Sequence, residues 1–329
     1  MKVLLLGATG LLGHNVLQRL TATGHQVVAV VRRHGASLFL PDEARPLVTV
    51  VEGDITVPQT VVDAARGCKA IINCAGVTDM SLLHLKDYEN VNFKLCRSIV
   101  TAMNSHCIKR LVHVSTVNTI GYGDVDHPAD EREPVKAPFD KSYYASSKRF
   151  GEEIVLDAAA DRPDWHVVVI NPGFMLGPMD EKPSSGRMLL LAYRRALMVA
   201  PPGGKAFVDV RDVATATVNA LTKGCNGERY IAVNSREHHT IKELYKMQAE
   251  VMGYRQAVVV LPVGLLRLVG RMGDLMRRRG VRTELSSCNV QQLCVREYYD
   301  NSRAVKELAM PETPIRQSIR DFHKWRNEK

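Results

Sequence analysis

Residues 1–20 read MKVLLLGATGLLGHNVLQRL, and the way this stretch is punctuated decides the fold. An aliphatic run ends at Gly7. Two more glycines follow at two-residue gaps, Gly10 and Gly13, and the next residues are apolar at three- and four-residue spacing. A short buried run, a glycine turn and an amphipathic stretch predict strand, tight turn and helix. The same rhythm returns along the chain. VVAVVR from Val27, VTVVEGD from Val48, AIINCAG from Ala70, RLVHVST from Arg110 and HVVVINPG from His166 read as buried strands separated by helical patterns. Strands that are apolar without alternation belong to a parallel sheet covered on both faces. The fold class is therefore α/β, a doubly wound parallel sheet. After about Pro178 the rhythm loosens, with PPGGK as a turn, FVDV as a further strand and a helix at RDVATATVNAL that Asp212 is placed to cap.

Composition narrows the class. The chain has 329 residues, 45% apolar and 24% charged, which suits one large globular domain with a smaller lobe. The division reads as a dinucleotide-binding domain over 1–177 with a returning segment near 206–235, and a substrate lobe from 178–205 and 236–329. Seven cysteines without CxxC spacing fit a reducing, cytoplasmic setting. The apolar start stops at Gly7, too short for an export signal. AVVVLPVGLL from Ala257 is broken by Pro262 and closed by Arg267, so no membrane span is expected. The net charge of +9 is concentrated around RLVGRMGDLMRRRGVR. That cluster reads as a solvated helix face rather than a nucleic-acid site, because no aromatic interleaving or binding motif accompanies it.

Gly7 permits the tight turn, Gly10 lets a diphosphate approach the backbone, and Gly13 lets helix and strand pack closely. The phosphates would sit at a helix N-terminus, where free N–H groups favour negative charge. This is the arrangement of a Rossmann dinucleotide site. At the end of the second strand stand Arg32 and Arg33, with no acidic residue before Asp42. Arginine suits a ribose 2′-phosphate, so NADP(H) is favoured, with NAD(H) the alternative. Asp54 is placed for the adenine amino group, or else to cap a helix.

Tyr144 and Lys148, in YASSK, share one helix face. A phenol titrates near pH ~10, and an adjacent ammonium together with a cationic nicotinamide would lower that value toward useful acid–base chemistry. Roughly 28 residues upstream, Ser115 and Thr116 end the fifth strand at the carboxyl edge of the sheet, where a hydroxyl can hydrogen-bond a reacting carbonyl.

Taken together, GATGLLG, Asp54, NCAG, Asn92 in YENVNFK, Ser115–Thr116, YASSK, INPGFMLGP and FVDVRDVATA resemble the extended or atypical short-chain dehydrogenases/reductases, the NAD-dependent epimerase/dehydratase family. Within it the chain looks most like the branch of dihydroflavonol-reductase-like and hopanoid-associated sugar epimerase-like proteins. The resemblance implies Tyr144 as acid/base and Lys148 on the nicotinamide ribose. It implies Thr116, five residues before Gly121, as the substrate-binding hydroxyl, with Ser115 its neighbour, and Asn92 in a water-linked proton relay. It places the cofactor against Gly7, Thr9, Gly10, Leu11, Leu12 and Gly13, against Arg32, Arg33, Asp54 and Ile55, against Cys74, Ala75 and Gly76, and against Pro172, Gly173 and Phe174 at the nicotinamide end. Members occur as monomers or homodimers.

Departures from the family pattern select among reactions. Val117 and Asn118 stand where dehydratases carry an acidic pair, and Lys205–Ala206 where many nucleotide-sugar epimerases carry Arg-Asp. Leu95 and Cys96 replace a small Gly-Thr pair, a matter of helix packing. The expected reaction is a reversible carbonyl/alcohol oxidoreduction on a small molecule. A sugar epimerase and a non-catalytic NADP(H)-sensing regulator are the alternatives. Met80, Phe174, Met175, Tyr193, Leu265, Leu266 and Leu268 are candidates for an apolar substrate pocket, and Arg187 for an anionic group. Adjacent His238 and His239 lack partners at ligand spacing, so no metal is expected.

Overall fold

The structure, a computed structural model, describes residues 1–32 and 38–328. Its first part runs β1 (Lys2–Leu6), α1 (Leu11–Ala22), β2 (Gln26–Val31), β3 (Val48–Glu52), α2 (Pro58–Ala64), β4 (Ala70–Asn73), α3 (Leu95–Ser105), β5 (Arg110–Val114), α4 (Tyr143–Ala160) and β6 (His166–Pro172). A π-helical turn, Asn90–Lys94, leads into α3. The chain continues through β7 (Phe174–Leu176), α5 (Gly186–Ala192), β8 (Leu197–Ala200), β9 (Gly204–Lys205), β10 (Phe207–Asp209), α6 (Val210–Asn219) and β11 (Glu228–Ala232). It closes with β12 (His239–Thr240), α7 (Ile241–Val251), β13 (Ala257–Val260), α8 (Val263–Arg278), α9 (Ser287–Gln292), α10 (Ser302–Leu308) and α11 (Ile315–Asn327).

Seven strands form one sheet in the order β11-β6-β5-β4-β1-β2-β3, every pairing parallel. The winding reverses between β1 and β4, which opens a crevice at the carboxyl ends of the strands. The uninterrupted apolar run of β1 is explained by its two covered faces. Leu4 and Leu6 pack with Ile71, Leu95, Ile99 and Val155, while Val3 and Leu5 pack with Val16, Leu17, Leu20 and Val213. Each such side chain, fully buried, contributes about 1.5–3 kcal/mol.

Two local features depart from the sequence reading. β11 is a seventh strand that no apolar run announces, because it begins with Glu228 and Arg229. The cap of α6 is Asp209, not Asp212: Asp209 ends β10 in extended conformation and its Oδ1 accepts from the Arg211 amide at 2.8 Å. Asp212 lies inside the first turn, where it accepts from the Thr313 amide and hydroxyl at 2.6 and 2.8 Å and so ties the approach to α11 onto α6.

Beyond the main sheet, residues pair in three two-stranded ribbons: β7 with β10, β9 with β12, and β8 with β13. A core of Leu176, Leu189, Phe207, Leu244, Ile319 and Phe322 lies among them.

Candidate active site

The glycine turn has the close approaches its spacing demanded. Gly7 has φ +82°, and a Cβ there would lie 2.6 Å from the Ala75 nitrogen. A Cβ at Gly13 would sit 2.0 Å from the Gly7 carbonyl oxygen, so α1 can lie this close to β1 only with glycine. Gly10 is the N-cap of α1 without a side-chain cap, and a Cβ there would meet nothing nearer than the Gly7 oxygen at 3.5 Å. This open, uncapped helix start fits a dinucleotide diphosphate. Thr9 is exposed and Leu11 half-buried beside the turn, whereas the Leu12 side chain is buried in the core, leaving only its backbone to face a ligand.

Around the turn, Arg32 is exposed at the end of β2 and its charge helps hold the Asp54 carboxyl below the usual range. The larger cause is local: Asp54 accepts from the Thr56 amide at 2.9 Å and hydroxyl at 2.8 Å. Asp54 therefore shapes its own turn and does not cap α2, whose N-cap is Val57. Ile55 packs against the core. Arg33 lies outside the described residues. On the other side of the crevice, Cys74 and Ala75 line the back of Gly7, and burial pushes the Cys74 thiol up to about 12. Gly76 is exposed, with its would-be Cβ 3.7 Å from the Lys148 ammonium.

Helix α4 carries the chemistry. Ser142 caps it by accepting from the Ala145 amide, which puts Tyr144 in the first turn. The Thr116 hydroxyl lies close enough to influence the phenol, so the two groups expected to share a substrate oxygen are neighbours. Its ring packs against the buried Tyr88, with centroids 6.4 Å apart. Lys148, one turn on, is buried and donates to the Val114 carbonyl at 2.7 Å. Burial lowers its pKa, opposed by Cys96, Glu152 and Cys74.

In the chain by itself burial pushes the Tyr144 phenol up to about 12, and the Thr116 hydroxyl opposes that rise. Lys148 is directed to the β5 backbone. At neutral pH the phenol keeps its proton.

Asn92 is a clamp. Its amide donates to the Val77 carbonyl at 3.0 Å and to the Ser147 hydroxyl at 2.8 Å, and its oxygen accepts from the Val77 amide at 2.7 Å. This joins the segment after β4 to α4. Gly151 allows the crossing, since a Cβ there would lie 2.4 Å from the Asn92 carbonyl oxygen; Leu95 and Cys96 are packing residues beside it.

Sequence reading missed Glu152, which continues the four-residue repeat of Tyr144 and Lys148 by one more turn. Glu152 is buried and accepts from the Thr119 hydroxyl and the Asn171 amide, both at 2.7 Å, with Arg229 3.8 Å away. Burial raises its pKa, opposed by the Ser115 and Thr119 hydroxyls, by Arg229 and by Asn171. Ser115 is buried nearby, and its hydroxyl has no hydrogen-bond partner among the described residues.

The remaining candidates scatter. Pro172 is buried, and a Cβ at Gly173 would lie 2.1 Å from the Ala206 oxygen. Phe174 stacks edge-on against Phe207, centroids 5.6 Å apart. Tyr193, half-buried, packs between His323 and Tyr254. Leu265 and Leu268 do not line a pocket: they are 47% and 54% exposed, because the protein-facing side of α8 is its glycine side. Met80 and Met175 are half-buried, and Met175 packs on the main core. Arg187 is paired with Glu284, and His239 with Glu237 at 3.0 Å.

A doubly wound parallel sheet with a glycine turn at its switch point, and a threonine–tyrosine–lysine set at the carboxyl edge, define a nicotinamide-dependent oxidoreductase class. The chain belongs to the NAD dependent epimerase/dehydratase family, whose model matches residues 3–234, and it is an enzyme of that family. It is 27% identical to sterol demethylase protein B of Methylococcus capsulatus, over 100% of this chain and 99% of that protein. It is also 27% identical to a putative dihydroflavonol 4-reductase of Synechocystis, over 97% and 92%. The crystal structure of gox2253 superposes with a TM-score of 0.82 at 25% identity, covering 99% of this chain and 98% of that one. Among the described residues no helix is long and apolar enough to cross a membrane.

Proposed function

We propose that the protein is an NADP(H)-dependent ketone reductase of the dihydroflavonol-reductase-like kind. The observation that carries this reading is the meeting of Tyr144 and Lys148, one turn apart on α4, with Thr116 at the carboxyl edge of the sheet, where Lys148 donates to the Val114 carbonyl at 2.7 Å. A phenol beside a hydroxyl can donate a proton to a carbonyl oxygen in reduction and take it back in oxidation. The likeness to a putative dihydroflavonol 4-reductase supports the reductive direction.

The cofactor, when bound, supplies the hydride. Gly7, Gly10 and Gly13 with the first amides of α1 hold its diphosphate, Arg32 meets the 2′-phosphate, and Lys148 and Gly76 border the nicotinamide ribose. Thr116 donates to the substrate carbonyl and polarises it. Tyr144 passes its proton to that oxygen as negative charge develops. Asn92, through Ser147 and Val77, keeps α4 at a set distance from the crevice, and positioning of this sort is a large part of the rate. Residues 178–205 and 236–329 form the lobe that covers the substrate.

Lys205 argues against a nucleotide-sugar epimerase. It is spent on Glu297, which is 3% exposed, and on the Gln292 carbonyl at 3.2 Å, so it offers no free charge to a sugar diphosphate. The seven free thiols support a reducing, cytoplasmic setting. The test is to mix the protein with NADPH or NADH and a panel of aromatic and alicyclic ketones, following loss of reduced-cofactor absorbance. Stoichiometric NADPH consumption supports a reductase. Interconversion of a sugar epimer without net consumption overturns it, and tighter binding of NADH than NADPH overturns the role given to Arg32.

A further inference from the structure

Ten of the eighteen large hydrophobic side chains exposed among the described residues fall between Val259 and Leu285. Exposed apolar residues scattered singly need no explanation, but a contiguous patch marks a contact. Helix α8 shows how this one arises. Its protein-facing side is made of small residues: a Cβ at Gly270 would lie 2.8 Å from the Ser287 Cα, and one at Gly273 only 1.3 Å from the Leu285 oxygen. The opposite side carries Leu265, Leu268, Met272, Leu275 and Met276, each between 43% and 62% exposed. Their spacing of three, four, three and one residues keeps them on one face of a helix with 3.6 residues per turn. The β8–β13 ribbon that precedes the helix extends the patch through exposed Leu197, Val199 and Val259.

A basic row runs along one flank of this stripe. Arg267 and Arg271 are exposed one turn apart and Arg278 two turns further on, with Arg279 at the helix end, and no ion pair engages any of the four among the described residues. The acids nearby are already used: Asp274 accepts from the Ser287 amide at 2.9 Å, and Glu284 is paired with Arg187.

We infer that this face docks on an anionic lipid bilayer, with α8 lying in the interface plane and its leucines and methionines in the headgroup–acyl boundary. Charge decides between occupants. In a two-fold dimer the same patch would meet itself, setting a row of arginines against its own copy with Asp274 as the one acid of the helix. Anionic headgroups supply the missing partner. Docking also has a consequence for the crevice. Arg277 at the end of α8 donates to the carbonyls of Met80 and Ser81 at 3.3 and 3.2 Å, and that loop follows the Val77 that Asn92 clamps to α4. The helix therefore holds the loop at the mouth of the site beside the lipid surface.

The test is sedimentation of the full chain with vesicles of phosphatidylglycerol mixed with phosphatidylcholine, and with phosphatidylcholine alone. It reads binding, so its outcome is independent of the reductase reading. The expected result is partition onto the anionic vesicles that high salt weakens. Arg271→Ala lowers it roughly fivefold, and the double variant Leu268→Asp, Met272→Asp abolishes it at an unchanged thermal unfolding midpoint. Wild type left in the supernatant, equal partition onto both vesicle types, or full binding by the double variant overturns the proposal. So does a dimer in sedimentation velocity that the double variant dissociates while vesicles fail to compete with it.

Discussion

Helices α4 and α8 carry regular stripes that are inverted in placement. In α4 the stripe is polar and inside: Tyr144, Lys148 and Glu152 recur every four residues and meet Thr116, the Val114 carbonyl, Thr119 and Asn171. In α8 the stripe is apolar and outside, from Leu265 to Met276. The contrast teaches that periodicity defines a helix face and leaves open which side of it the protein covers. Buried polar groups persist where each finds a partner. Exposed apolar groups persist where the other face of the helix packs closely enough to hold it, as Gly270 and Gly273 do here.

Substitutions on the two helices, and at the turn that faces them, put this contrast to measurement. The largest effect belongs to Tyr144→Phe, which removes the proton donor while leaving the ring against Tyr88. Ketone reduction in steady-state assays is expected to fall by about 10²–10⁴-fold, with cofactor dissociation constants nearly unchanged. A residual rate near wild type would mean that α4 buries its polar stripe for structure alone.

Next comes Glu152→Ala, which removes the buried acceptor shared by Thr119 and Asn171, leaving them the Thr116 carbonyl, and strips Arg229 of its buried partner. Denaturant titration should show a loss of about 2–4 kcal/mol. The pH dependence has a definite sign. Burial raises the Glu152 pKa in the folded state, so its contribution is fully present below the ordinary carboxyl range and is lost as pH rises through the folded value. Glu152→Gln should flatten that slope.

At the turn, Gly13→Ala puts a Cβ into the Gly7 carbonyl oxygen. A cost of about 1–3 kcal/mol is expected in the same titration, together with weaker dinucleotide binding by calorimetry. The pH profile of reduction should be flat through neutrality and fall on the alkaline side only, because the active form of Tyr144 is the protonated one and burial has moved its ionisation up to about 12. A decline already near neutral pH would show a different proton donor.

The smallest effect is predicted for Leu268→Asp alone. At 54% exposure the change should alter the unfolding free energy by no more than about 0.5 kcal/mol. A large loss would place that stripe in an interior contact and erase the contrast with α4.

Most of the sheet and the glycine turn were legible because their determinants are local. A strand buried on both faces must be apolar throughout, and a helix start packed onto a strand must carry glycine at Gly13. The seventh strand, β11, was not legible, since Glu228 answers to Arg303, and Arg229 to Glu131 and Glu152, far away in the chain rather than to a pattern of their own. The capping role fell on Asp209 for a similar reason: Asp212 is claimed by Thr313, about a hundred residues on.

In the candidate site, residue types and spacing were enough to single out Tyr144, Lys148, Thr116 and the first loop. Their ionisation was decided by tertiary structure. Spacing alone brings an ammonium near a phenol, but burial and the Val114 carbonyl determine where that ammonium points and which proton the phenol keeps. Local chemistry travels with the sequence because it depends on neighbours along the chain, whereas desolvation and facing partners depend on what folding brings from elsewhere.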